Sequence, residues 1–235
     1  MTKEEGNMKT QSSMNKMVSR IGFWSAILTT VWAIWFIVAF GCYMSSIPSE
    51  WPGIEAFAAS FETVPYIAWV IPCLLLALTF PIMMSSIYFY ASDDKKIWSL
   101  LGLIFAVMYG AILAANYWLL LTVVRESLLS GYTEGLEWFV IGSPHSITNT
   151  IEGIGYAFMG LAALFVSQVF DGDKLKNWLR WLFIVNGVAG IAGVILGGLG
   201  IIMATMVSLA VWCVTFPVAT AMLAILFKRA SGVTA

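Results

Sequence analysis

Charge is what this sequence has least of. Asp, Glu, Lys and Arg make up 11% of its 235 residues, less than half of the roughly 25% found in ordinary soluble domains, while 60% are hydrophobic. A soluble core cannot use that much apolar surface, whereas helices in lipid expose it freely, so the composition calls for one integral membrane domain. The net charge of -1 and the lack of any basic run give no support to a nucleic-acid partner.

Cysteine and histidine are scarce too. Cys42, Cys73 and Cys213 lie far apart in apolar stretches, which argues against a disulfide framework or a CxxC zinc site and reads as buried thiols. His145 is the only histidine, so bis-histidine haem is excluded, and a metal site would need soft ligands such as Met203 and Met206 beside it. No lysine falls within a predicted span, which removes the nucleophile of a retinal Schiff base. GxSxG, HExxH, P-loop and GxGxxG motifs do not occur in a supporting context. No catalytic residue, metal or cofactor is assigned.

The apolar runs predict an all-α, six-helix membrane bundle with spans at about 21–45, 66–90, 98–124, 147–170, 181–199 and 206–226. The first run is longer than the roughly 7 to 15 apolar residues of a signal peptide and is read as a span. A polar tail, 1–20, precedes the membrane domain, 21–229, and is expected to be disordered or loosely attached, and residues 230–235 form a short tail. Residues 181–227 hold 47 positions without Asp, Glu, Lys, Arg or His. As one helix they would measure about 70 Å, against a hydrocarbon core of about 30 Å. The run must fold back, and Gly197 to Thr205 is its most glycine-rich place to turn. Between the first two spans, Ile54, Phe57, Ala58 and Phe61 share a helical face, and Pro52 suits the first position of a short interfacial helix. Pro72 and Pro81 predict kinks in the second span. The 125–143 connection is expected to pack on the outer surface of the bundle.

The basic residues test this count independently. Eleven of the twelve fall in the N-terminal tail, the 2–3 and 4–5 connectors and the C-terminal tail, all on one side of a six-span chain; only Arg125 is opposite. By the positive-inside rule that side is cytoplasmic, which leaves an acidic outer face and suggests a cell membrane, most simply a prokaryotic inner membrane.

The stretch most suggestive of function runs from Ser143 to Phe170. At helical spacing His145, Asn149, Glu152 and Tyr156 share a face that Gly160, Ala163 and Ser167 continue with small residues. Ser143 as cap with Pro144 following would put Glu152 two turns into the helix, where an ionisable group needs a partner or a wet cavity. In the bland alternative Asn149 caps a helix from Thr150 and Glu152 only complements the dipole. Tyr109 and Asn116, seven apart, share a face of the third span. A ligand site of Tyr109, Asn116, His145, Asn149, Glu152 and Tyr156 would thus open outward between spans 3 and 4. It would suit a small cationic or amphipathic molecule that is bound or transported.

Two other readings compete. Gly190, Gly193, Gly197 and Gly200 form a small-residue ridge, which could dock a partner membrane subunit or a second copy of the chain. Glu152, His145 and Glu62 are the acid or base candidates that a lipid-modifying enzyme would have to use.

The runs GYAFMGLAALF (Gly155 to Phe165) and RWLFIVNG (Arg180 to Gly187) resemble a group of uncharacterised prokaryotic multi-spanning proteins, in which GY-x-F-x-G-L-A-x-L-F leads into a cytoplasmic turn and an RWLFxxNG start of the next span. The resemblance covers about the last third of the chain. It implies a six-helix inner-membrane fold and brings neither an activity nor site residues.

Overall fold

In lipid a spanning segment must satisfy its own backbone groups, and among helical solutions the apolar run sets the length. The computed structural model describes residues 3–46, 48 and 50–231, with side chains in the first helix from Lys16 onward. Its long helices are α1 (Lys3–Ser46), α3 (Thr63–Tyr90), α4 (Lys96–Leu119), α6 (Ile147–Ser167), α7 (Lys174–Gly198) and α8 (Ile202–Ala230). Two short ones, α2 (Ile54–Ala59) and α5 (Arg125–Ser130), lie in the connections. All six long helices carry a stretch long and apolar enough to cross a bilayer. The protein is an integral membrane protein built as a helical bundle.

The six spans close a ring in chain order: α1 packs on α3, α3 on α4, α4 on α6, α6 on α7, α7 on α8, and α8 back on α1. Lys95 and Asp171 form an ion pair that joins the α3–α4 connector to the α6–α7 connector. Nearby, the Lys176 ammonium lies 5.7 Å from the centre of the Tyr90 ring, and Tyr90 meets Phe227 near the end of α8 at 5.9 Å. The basic connectors therefore gather at one end of the bundle. That end is called basic here and the other acidic.

Several expectations need correction. The N-terminal segment is helical from Lys3, not disordered: α1 has 44 residues, about 66 Å and more than twice the hydrocarbon thickness. The physical reason is local. The segment has no proline, and it extends a helix that the membrane span has already nucleated. Pro52 does not open the short helix, because Gly53 (φ 89°) precedes its first residue, Ile54; the face does pack, with Phe57 buried beside Trp51 and Phe61. The α7–α8 turn is shorter than expected: Leu199 to Ile201, with Gly200 at φ 84° supplying the left-handed residue. Helix α3 runs through Pro72 and Pro81 as one helical segment. Gly110 of α4 sits against its Ala77 carbonyl and the Pro81 ring, where an added Cβ would come within 2.7 Å of both.

After Leu119 the backbone makes a π-helical turn, Leu120–Val124, before continuing as α5. The wider turn changes the carbonyl directions, and the Tyr66 hydroxyl donates to the Leu120 carbonyl at 3.4 Å. The rest of the connection folds onto the bundle through buried Leu128, Leu136 and Val140.

Candidate functional site

The register of α6 sets the site. Ser146 is its N-cap, accepting from the Asn149 amide at 3.1 Å, so neither Ser143 nor Asn149 caps the helix. A tertiary contact selects Ser146: the neighbouring Thr148 hydroxyl donates to the Phe139 carbonyl at 3.0 Å and lies 2.7 Å from the Ser146 hydroxyl. His145 consequently lies outside the helix, exposed, with its ring 6.0 Å from that of Trp138.

With this register Glu152, Tyr156, Met159 and Gly160 recur at helical spacing on one side of α6 and line a cavity of about 620 Å³. Its other walls are Phe36 and Phe40 of α1, Asn186 and Gly190 of α7, and Leu209 and Trp212 of α8. From Asn149 near the acidic end to Gly160 the chamber follows about 16 Å of helix rise, or roughly half the hydrocarbon thickness.

Close glycine contacts bound the chamber. Below it, α6 and α7 meet at two glycines: a Cβ on Gly187 would come 2.7 Å from the Gly160 carbonyl. Beside it, Gly193 and Gly197 abut Ser208 and Thr205 of α8, and the Ser208 hydroxyl donates to the Ala189 carbonyl at 2.8 Å. The glycine ridge of α7 is therefore occupied within the chain, and the expected docking face for a partner is not free at these positions.

Among the described residues, Glu152 is the one carboxylate on the chamber wall. Its Oε1 accepts from the Tyr117 hydroxyl of α4 at 2.6 Å. Among the described residues the ion pairs are Lys95 with Asp171 and Arg125 with Glu126, so no Lys or Arg reaches this carboxylate. Behind it stands a polar cluster enclosed by helices, with Cys73 of α3 and Tyr109 of α4 both buried and the Tyr109 ring 6.2 Å from that of Tyr156. The Tyr109 hydroxyl has no hydrogen-bond partner.

Trp212 forms the aromatic floor. Its ring stacks on Phe216 at 5.0 Å and meets Phe36 and Tyr156 edge to face at 5.7 and 6.1 Å. Its indole N–H points to the Met159 sulfur at 3.3 Å. Asn186 is held from behind, donating to the Thr215 hydroxyl at 3.1 Å.

The six residues singled out in the sequence divide three ways. Asn149, Glu152 and Tyr156 line the chamber together. Tyr109 and Asn116 lie on the other side of α6, in its packing with α4, where Asn116 donates to the Thr148 carbonyl at 3.4 Å. His145 is apart from both. The expected opening between spans 3 and 4 is thus filled by side chains, and the chamber lies on the α7, α8 and α1 side of the same helix.

Tyr117, Asn186 and Trp212 were not picked out as site residues. Asn186 had a usable signal, being the only Asn or Gln in the charge-free stretch 181–227. Met203 and Met206 are both exposed, and no group of three or more His, Cys, Asp or Glu among the described residues could hold a metal ion. Glu62 stands before the first residue of α3 and is not on the chamber wall.

No protein family, curated protein or solved structure matches this chain.

Proposed function

We propose that the protein binds a small cationic or amphipathic molecule in the chamber between α6, α7, α8 and α1, with Glu152 as the counter-charge. The observation that carries this reading is the Glu152 carboxylate on the wall of a 620 Å³ cavity, with one tyrosine donor and no basic partner. That volume is within the roughly 300–1,000 Å³ of ordinary small-molecule sites. A membrane-embedded carboxylate without a partner is costly, and a cationic ligand offsets that cost. An anion finds no positive side chain there. With the basic end cytoplasmic by the positive-inside rule, the chamber opens toward the outer face of a cell membrane.

Transport is the extended form of this reading, and it requires the α6–α7 contact at Gly160 and Gly187 to part so that the chamber reaches the basic end. A purely structural role through the glycine ridge has less support, since α8 occupies it at Gly193 and Gly197. Lipid chemistry would need an acid and a base at one place, and Glu152 shares the chamber wall with neither His145 nor Glu62.

The test is a thermal-shift panel of organic monovalent cations, zwitterions and anions on the purified protein. A ligand at 100 times its Kd stabilises the folded state by about 2.7 kcal/mol. Cations should stabilise the protein, anions should not, and Glu152→Gln should abolish the cation effect. Equal shifts in wild type and variant across the panel contradict the reading.

A further inference from the structure

The chamber has two unlike regions. Glu152 and Tyr156 present polar groups on α6, whereas the walls from α1 and α8 are mainly Phe36, Phe40, Leu209 and Trp212, with Asn186 of α7 the polar exception among the large side chains facing α6. Its volume of about 620 Å³ is about twenty times the share of one water in the liquid, far more than a bare cation fills. A hard metal ion also takes six or more oxygen ligands, and this wall supplies one carboxylate.

The rim adds a second, independent observation. Ile154, Ile202 and Met206 line the chamber and are all exposed, with Ile202 at 70%. Ile202 begins α8 and Met206 stands one turn further in, while Ile154 lies two turns into α6. These exposed apolar side chains give an approaching molecule continuity with acyl chains, beside the exposed polar Asn149 and Thr150 at the start of α6.

Resting on the reading above, we propose that the ligand is a lipophilic organic cation, one positive charge on a body of aromatic or aliphatic carbon, taken from the outer leaflet of the bilayer. The charge is held at Glu152, with the Tyr117 hydroxyl fixing the carboxylate, and the carbon body is held against Phe40 and the Trp212 floor. Burial of the apolar body contributes most of the affinity, because a surface exchanged from lipid or water for aromatic walls gains packing contacts, and aromatic faces also attract a nearby cation. The carboxylate contributes selection by charge. A hydrophilic cation of the same charge gains only the second part.

Radiolabelled tetraphenylphosphonium is the probe, measured at equilibrium on the full chain in nanodiscs, with tetramethylammonium and neutral triphenylphosphine oxide as competitors. Tetraphenylphosphonium should bind saturably. Glu152→Gln should weaken it by about tenfold or more, as expected for loss of about 1.4 kcal/mol. Phe40→Ala, at a half-buried position, should weaken it by a similar factor through lost packing. Neither competitor should displace it at a hundredfold excess. Displacement by tetramethylammonium at comparable concentration, with Glu152 dependence intact, would overturn the lipophilic class and leave a cation site standing. Displacement by triphenylphosphine oxide, or binding unchanged in Glu152→Gln, would overturn the role of charge. Absence of saturable binding in wild type, for a protein whose melting temperature is shifted by smaller cations in a Glu152-dependent way, would likewise reject the lipophilic class alone.

Discussion

The Tyr117 hydroxyl donates to the Glu152 carboxylate at 2.6 Å across the α4–α6 interface. One end of this contact is in the core, where Tyr117 is fully buried, and the other is on the chamber wall. It therefore links packing to function: Tyr117 fixes where the carboxylate stands without itself lining the chamber.

Tyr117→Phe should keep the fold and weaken binding of a cationic probe by about tenfold, since a hydrogen bond to a charged group contributes about 1.5–3 kcal/mol and part is recovered by relaxation of Glu152. The same loss falls on the fold, so the melting temperature should drop by a few degrees while the protein stays folded. A probe affinity equal to wild type would show that the hydrogen bond does not position the carboxylate.

The glycines separate close contact from mere flexibility. Gly193 abuts Ser208, whereas Gly41 of α1 has nothing within 4 Å of where its Cβ would stand. Gly193→Leu should destabilise the bundle by about 1–3 kcal/mol through overpacking, and Gly41→Ala should stabilise it by about 0.5–1 kcal/mol through helix propensity. Thermal unfolding in detergent reads both. A neutral Gly193→Leu that instead changes the oligomeric state would return the ridge to an intermolecular role.

Native thiols report on the core. Cys42 is exposed and Cys73 buried, so a small membrane-permeant maleimide should modify Cys42 in the folded protein and reach Cys73 only on unfolding. Mass spectrometry of the labelled chain distinguishes them. Equal labelling would contradict the packing behind Glu152.

At the basic end, the Lys95 ammonium beside Asp171 holds that exposed carboxyl below its ordinary range. Because the folded-state value is lowered, the contribution to stability is fully present above the ordinary carboxylate pKa and is lost as pH falls through the lowered one. Melting temperature should therefore drop in that acidic window and drop less in Asp171→Asn. An identical acid profile in the variant would show that the ion pair contributes nothing measurable.

The spans were legible because lipid permits few backbone solutions and the basic residues marked one end; the Lys95–Asp171 pair indeed joins two connectors placed on the same side by that count. The helical start at Lys3 was not, since a polar composition suited to disorder also suits a helix extended from a membrane span. Ser143 and Asn149, the caps expected for α6, suit that position by local chemistry no better than Ser146; the Thr148 contact with the Phe139 carbonyl decides for Ser146. The helical face shared by Asn149, Glu152 and Tyr156 was legible from spacing, and all three line the cavity. The cavity lies on the α7, α8 and α1 side of α6, not between spans 3 and 4: Tyr109 and Asn116 carry polar groups that serve helix contact, whereas the cavity wall has many glycines and aromatics, which read as packing in a sequence.

The most direct test is a crystallographic or electron-scattering map of the protein with tetraphenylarsonium, whose arsenic can be located by anomalous scattering in crystals. The account predicts arsenic within the chamber, with the cation between the Glu152 carboxylate and Trp212 in wild type and no occupancy there in Glu152→Gln. A chamber closed by side chains, or an arsenic position elsewhere that the substitution leaves unchanged, would contradict it.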